Sequence, residues 1–170
     1  VVEALYPGQA GGTAGSKVLF GDVDASGRLP ATFPADADDL SMAGDPAAYP
    51  GVDDVVHYRE GIFVGYRWFD RRRITPAFPF GFGLSYTSFG FSGLTVSAPN
   101  SAGDVTVSAT VTNTGSVAGS DVAQLYVADP ASTGEPPKQL KGFQRVTLSP
   151  GARTTVHFTA RFERPEAAEP

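Results

Sequence analysis

The sequence contains no cysteine. Disulfides, thiolate zinc sites and a cysteine nucleophile are therefore excluded. The absence leaves the compartment open, because many secreted proteins also do without cysteine. No apolar run reaches the roughly 18–20 residues that a membrane-spanning helix needs, and no secretory leader is recognisable. Histidine is scarce, with only His57 and His157. Charge is scarce too, at 18% of residues against about 25% in an average domain. The net charge is −5, and the one basic cluster is Arg71-Arg72-Arg73 beside Asp70. Such a run reads as a solvated turn, so nucleic acid is not an expected partner.

Glycine and proline are abundant. The 20 glycines and 14 prolines make up a fifth of the 170 residues, against about 12% ordinarily. A chain of this composition turns often, and long helices are disfavoured. With 41% hydrophobic residues it is still globular rather than disordered.

Pro7 suits a first helical turn or the turn before one, and Gly21 suits a helix C-terminus. Between them Gly11, Gly12 and Gly15 each weaken a helix by about 1 kcal/mol relative to alanine. A helix there needs close packing. Residues 28–33 read as a short extended segment that Pro30 confines to an edge. Residues 34–56 read as a long surface loop. In residues 60–70, alternation places Ile62, Val64, Tyr66 and Trp68 on one face and Phe63, Arg67 and Phe69 on the other. Both faces are largely apolar, which predicts an interior strand. Residues 78–86 read as a packed aromatic connector. Beyond residue 91 the texture changes. Strands are predicted at 105–112, 122–127, 140–148 and 154–159, with turn chemistry at Asn113-Thr114-Gly115-Ser116 and Ser149-Pro150-Gly151. Short strands at such intervals are the mark of a β-sandwich. A domain boundary is expected near residues 87–92.

Five collinear blocks carry a family resemblance between about residues 2 and 160. The first is Tyr6-Pro7-Gly8-Gln9 with Gly11-Gly12, followed by Val18-Leu19-Phe20-Gly21-Asp22 and Ser26-Gly27-Arg28-Leu29-Pro30. The next are Tyr58 to Asp70, with Glu60-Gly61 and Gly65-Tyr66-Arg67-Trp68-Phe69-Asp70, and then Phe78-Pro79-Phe80-Gly81 with Gly83-Leu84-Ser85-Tyr86. The last are Gln124-Leu125-Tyr126-Val127 and Leu140-Lys141-Gly142-Phe143. Together they resemble the C-terminal part of glycoside hydrolase family 3 enzymes of the β-glucosidase type.

The resemblance implies an α+β, mostly β chain. Residues 1–90 would be the C-terminal portion of the family's α/β sandwich domain. Residues 91–162 would be a fibronectin type III-like, immunoglobulin-like β-sandwich, and 163–170 a disordered tail. Three departures stand out. Phe82 occupies a position where many members carry histidine. Gly15 and Lys17 replace larger apolar or acidic residues. The family's sandwich continues with at least two more strands where this chain has its charged, Pro-containing last residues, so the sandwich is expected to be incomplete at its C-terminus.

Retaining glycosidases use two carboxyl groups about 5–5.5 Å apart. The resemblance implies this mechanism, with a nucleophilic Asp on an N-terminal barrel domain and an acid/base Glu upstream of the Pro7-Gly8-Gln9 block. Neither position falls within this chain. No catalytic residue, metal or cofactor is therefore expected here. Glu60, Tyr66, Arg67 and Trp68 are the candidates for substrate contact, since aromatic rings stack on sugars. The alternative is structural, with Arg67 pairing with Glu60 or Asp70. Asp36, Asp38 and Asp39 lack a calcium-loop pattern. Gly8, Gly11 and Gly12 lack the Lys-Ser/Thr ending of a phosphate-binding loop.

The expected function is that of a fragment of a retaining, exo-acting β-glucosidase, inactive alone. Its expected partners are the barrel domain and, in the intact enzyme, β-glucoside oligosaccharides or aryl glucosides, with neither nucleic acid nor membrane. The rival readings are a non-catalytic carbohydrate-binding module and a structural module that completes a separate barrel subunit. The choice between glucosidase and xylosidase stays open.

Overall fold

The computed structural model describes residues 2–130 and 134–161. The expected tail at 163–170 lies outside the described residues. Among the described residues, two α-helices, α1 (Gly11–Leu19) and α2 (Tyr66–Arg72), precede five strands: β1 (Phe89–Val96), β2 (Asp104–Asn113), β3 (Gly119–Val127), β4 (Gln139–Leu148) and β5 (Arg153–Arg161). The chain is mostly β. It forms two compact units, one of residues 1–26, 84–124 and 142–170, the other of 27–83 and 125–141.

The first unit contains the sandwich core. β1, β2 and β5 form an antiparallel sheet in that order, while β3 and β4 form a second, two-stranded sheet. β2 alternates β-branched residues with small polar ones. This puts Val105, Val107, Val111 and Asn113 on the buried face. The register sets Val105 opposite Ala160, Ala109 opposite Val156 and Val111 opposite Thr154, so β5 turns its even-numbered residues to the same side. Val111 and Val156 are fully buried and pack with Ala123, Val146 and Leu148 from the other sheet. Burying such a valine contributes about 1.5–3 kcal/mol.

All four predicted strands are present as β2 to β5. β1 is an addition. Its pattern is broken by Gly90 and Gly93, and its register against β2 slips between Ser92 and Thr95. Gly93 takes a φ of 63° at that bulge, which is why alternation does not reveal the strand.

Asn113 is fully buried, and it joins the turns at one end of the sandwich. Its amide donates to the carbonyls of Val117 at 2.8 Å and Leu148 at 3.0 Å. Its oxygen accepts from the Thr87 hydroxyl at 2.6 Å and the Gly115 N–H at 3.0 Å. All four bonds available to the side chain are made.

α1 forms despite its glycines. It starts after Pro7, and its N-terminal Gly11 approaches the proline ring so closely that a Cβ would sit 2.6 Å from Pro7 Cγ. It ends as expected at Gly21, whose φ is 82° and whose N–H bonds to the Val18 carbonyl. None of its side chains is buried among the described residues, and Leu19 and Phe20 are well exposed.

In the second unit, the extended segment near residues 29–33 lies antiparallel to 78–82. Phe33 and Phe78 exchange backbone hydrogen bonds, and the Leu29 N–H bonds to the Phe82 carbonyl at 2.8 Å. Residues 34–56 are irregular apart from a 3-10 turn at Ala37–Asp39 and an isolated antiparallel bridge between Val52 and Val55.

The expected interior strand at 60–70 is not found. Gly65, with φ 55° and ψ −133°, breaks the extended path, and Tyr66–Arg72 is helical. Ile62 and Val64 are each 48% exposed rather than interior. A short run that is apolar on alternate residues and also at i, i+3 suits either period. Here the helix buries Phe69 and ends on Arg73 in the left-handed region, with Arg71 and Arg72 in a last turn that favours cations.

Candidate functional site

α2 carries the candidate site. Residues three and four apart on a helix share a face, so Tyr66, Phe69 and Asp70 line one cleft with Thr32, Ile74, Phe80, Tyr126 and Lys138. The Tyr66 ring lies 5.1 Å from that of Phe80 and meets Tyr126 edge-on at 5.9 Å. The Tyr66 hydroxyl accepts the Leu140 N–H at 2.9 Å.

The Lys138 ammonium lies 3.4 Å from Asp70 Oδ2 and 5.4 Å from the centre of the Tyr126 ring. The ion pair is a charge attraction without the alignment of a hydrogen bond, and Oδ2 has no hydrogen-bond partner among the described residues and is shielded from solvent. Burial, first, and then the nearby Tyr66 and Asp70 hold the Tyr126 phenol above its ordinary pKa.

The candidates for sugar contact are not brought together as one open platform. Trp68 donates its indole N–H to the Asp39 carbonyl at 2.9 Å, and the Arg72 guanidinium lies 5.0 Å over its ring. Arg67 reaches the Ile62 carbonyl at 3.5 Å and lies 5.8 Å from the Tyr66 ring centre. The expected pairing of Arg67 with Glu60 or Asp70 is absent among the described residues. Asp70 takes Lys138 instead. The Glu60 carboxylate has no partner among the described residues.

The remaining sequence candidates have local roles. Asp36 and Asp39 cap the 3-10 turn reciprocally, at 3.1 Å and 3.0 Å. Asp45 pairs with Arg59 at 3.2 Å. No group of three or more His, Asp or Glu residues able to hold a metal occurs among the described residues. The register of β2 and β5 places Ser108 Oγ 2.9 Å from His157 Nδ1, a pair that sequence spacing did not reveal. It lies on an exposed strand pair, and no carboxylate orients the imidazole among the described residues, so it lacks the third member of a catalytic triad. No helix among the described residues is long and apolar enough to cross a membrane.

The cleft beside α2 has a volume of about 80 Å³, well under the roughly 300–1,000 Å³ of small-molecule sites. It is a packing feature of this region and does not have the size of a sugar-binding pocket.

Comparison with known proteins gives a consistent result. Residues 121–164 match the fibronectin type III-like domain. A β-glucosidase of Rhizobium radiobacter is 51% identical over 159 residues, which is 92% of this chain and 19% of that protein. Thermostable β-glucosidase B of Acetivibrio thermocellus is 47% identical over 94% of this chain and 21% of its own length. Among solved structures, the β-glucosidase DesR from Streptomyces venezuelae, in complex with D-glucose, superposes with a TM-score of 0.82 at 47% identity. It covers 91% of this chain and 20% of that one. A family 3 β-glucosidase of Bifidobacterium adolescentis gives 0.85 at 40% identity, over 92% of this chain and 23% of that one. The chain thus spans about a fifth of the length of the relatives it matches. With residues 1–86 matching the glycosyl hydrolase family 3 C-terminal domain, the chain belongs to glycosyl hydrolase family 3.

Proposed function

We propose that this chain is the C-terminal, bracing region of a retaining, exo-acting β-glucosidase and does no chemistry by itself. In this reading, residues 1–90 close the enzyme's α/β domain and residues 91–162 form the sandwich that supports it. The substrates of the whole enzyme are β-glucoside oligosaccharides or aryl glucosides, and the partner of this region is the N-terminal barrel domain.

The observation that carries the proposal is the condition of the carboxylates: of Glu60 and Asp70, which flank the aromatic segment, Asp70 is paired with Lys138 and only Glu60 is left without a partner among the described residues. Hydrolysis with retention needs two of them flanking a sugar-sized site. Asp24, Asp36, Asp39, Asp45, Asp70 and Asp104 are each engaged with backbone, hydroxyl or cationic partners. The aromatic cleft beside α2 is too small for a glucosyl unit. The exposed Leu19 and Phe20 of α1 and its C-cap supply an apolar surface for the rest of an α/β domain.

The test is complementation. The chain is mixed with the barrel and preceding α/β portion of the Rhizobium radiobacter relative, and aryl β-glucoside hydrolysis is followed together with the anomer first released. Recovery of activity with β-glucose as the first product supports the reading. Failure of the two pieces to associate or to regain activity, while the intact relative is active, contradicts it.

A further inference from the structure

The cleft beside α2 is lined by two residues whose polar atoms, Thr32 Oγ1 and Asp70 Oδ2, have no hydrogen-bond partner among the described residues and are shielded from solvent. Both residues line the same space of about 80 Å³. We propose that this cleft is a binding site for ordered internal water, with at least one molecule bridging Thr32 Oγ1 to Asp70 Oδ2.

A buried water needs two to four polar partners and at least about 10–15 Å³. The space exceeds that several-fold. Thr32 and Asp70 supply two partners. The Lys138 ammonium, 3.4 Å from Asp70 Oδ2, supplies a third. Tyr66 lines the same cleft. Its hydroxyl oxygen receives the Leu140 N–H, and its own hydrogen remains available to donate.

Charge and size select against other occupants. An added cation would face Lys138, and an added anion would face Asp70. A sugar or other organic ligand needs a larger cavity. The walls contributed by Pro76, Pro79 and Phe80 offer no side-chain hydrogen bond, so a water held here takes its bonds from the polar residues of the lining. Because Thr32 precedes the Phe33–Phe78 bridge, the water would tie that extended pair to α2.

Crystal structures of the chain and of its Thr32→Ser and Thr32→Val variants, at a resolution that shows ordered solvent, test this. The expected result is a water peak about 2.6–3.2 Å from both Thr32 Oγ1 and Asp70 Oδ2 in the parent chain. The peak is retained with serine and lost or displaced with valine. A parent map in which the cleft is dry, or in which the Thr32 hydroxyl bonds directly to protein, overturns the proposal. So does an unmoved water in the valine variant. If the valine variant does not fold, the parent map alone decides.

Discussion

The Asp24 carboxylate accepts the backbone N–H of Ser120, 96 residues further along the chain, at 3.0 Å. Its other oxygen accepts the Ser85 hydroxyl at 2.8 Å and the Tyr86 N–H at 2.7 Å. One side chain thus fastens the segment after α1 to the connector before β1 and to the start of β3. Gly119 is glycine for the same reason, since a Cβ there would lie 2.7 Å from Asp24 Oδ2.

Asp24→Ala removes at least these three bonds to a charged acceptor. Each such bond contributes about 1.5–3 kcal/mol at most, and Asp24 is only half-buried. The expected loss is about 2–3 kcal/mol, read as a lower midpoint of urea unfolding with an unchanged slope. Asp24→Asn keeps one acceptor oxygen and is expected to lose less than alanine does.

Asn113→Ala leaves two carbonyls, one N–H and the Thr87 hydroxyl without their partner. The expected cost is about 3–4 kcal/mol, near the upper end for a single substitution. Asn113→Asp directs carboxylate oxygens at the carbonyls of Val117 and Leu148, which raises the introduced group's pKa in the folded state. Stability is then greatest below the unfolded value of about 3.9 and falls as pH rises through the raised one. Urea midpoints at pH 4 and pH 7 should show the deficit relative to the parent chain growing at the higher pH.

The Tyr126 phenol is held above its ordinary value of 10.0, first by burial and then by Tyr66 and Asp70. A raised folded pKa means that its contribution to stability is complete below pH 10 and is lost as pH rises through the higher value. Ultraviolet titration should show a tyrosine transition above pH 10, and the Tyr126→Phe variant should lack it. The Asp70→Asn variant should bring that transition part of the way back, and an unchanged transition contradicts the assigned neighbour.

Much of the sandwich is legible in the sequence. The valines at alternate positions of β2, and the turn residues at Asn113-Thr114-Gly115 and Ser149-Pro150-Gly151, mark strands β2 to β5 directly. β1 is hidden because Gly90 and Gly93 interrupt its pattern. α2 is hidden because its aromatic residues fit a strand period as well as a helical one, and the deciding feature is the backbone of Gly65. The links between distant segments are also invisible to spacing. Asp24 with Ser120, Ser108 with His157, and Asp70 with Lys138 come together only in the folded chain. The family blocks are read from the sequence, whereas the condition of Tyr66, Trp68 and Asp70 is read only from the structure.

The central claim is that this region supports hydrolysis without performing it. The most direct test is turnover of 4-nitrophenyl β-D-glucoside by the purified 170-residue chain, alongside Glu60→Gln and Asp70→Asn. The expected result is no release of nitrophenolate above the buffer blank from any of the three. Robust turnover by the parent chain that either substitution abolishes would contradict the account and place a catalytic carboxylate within this sequence.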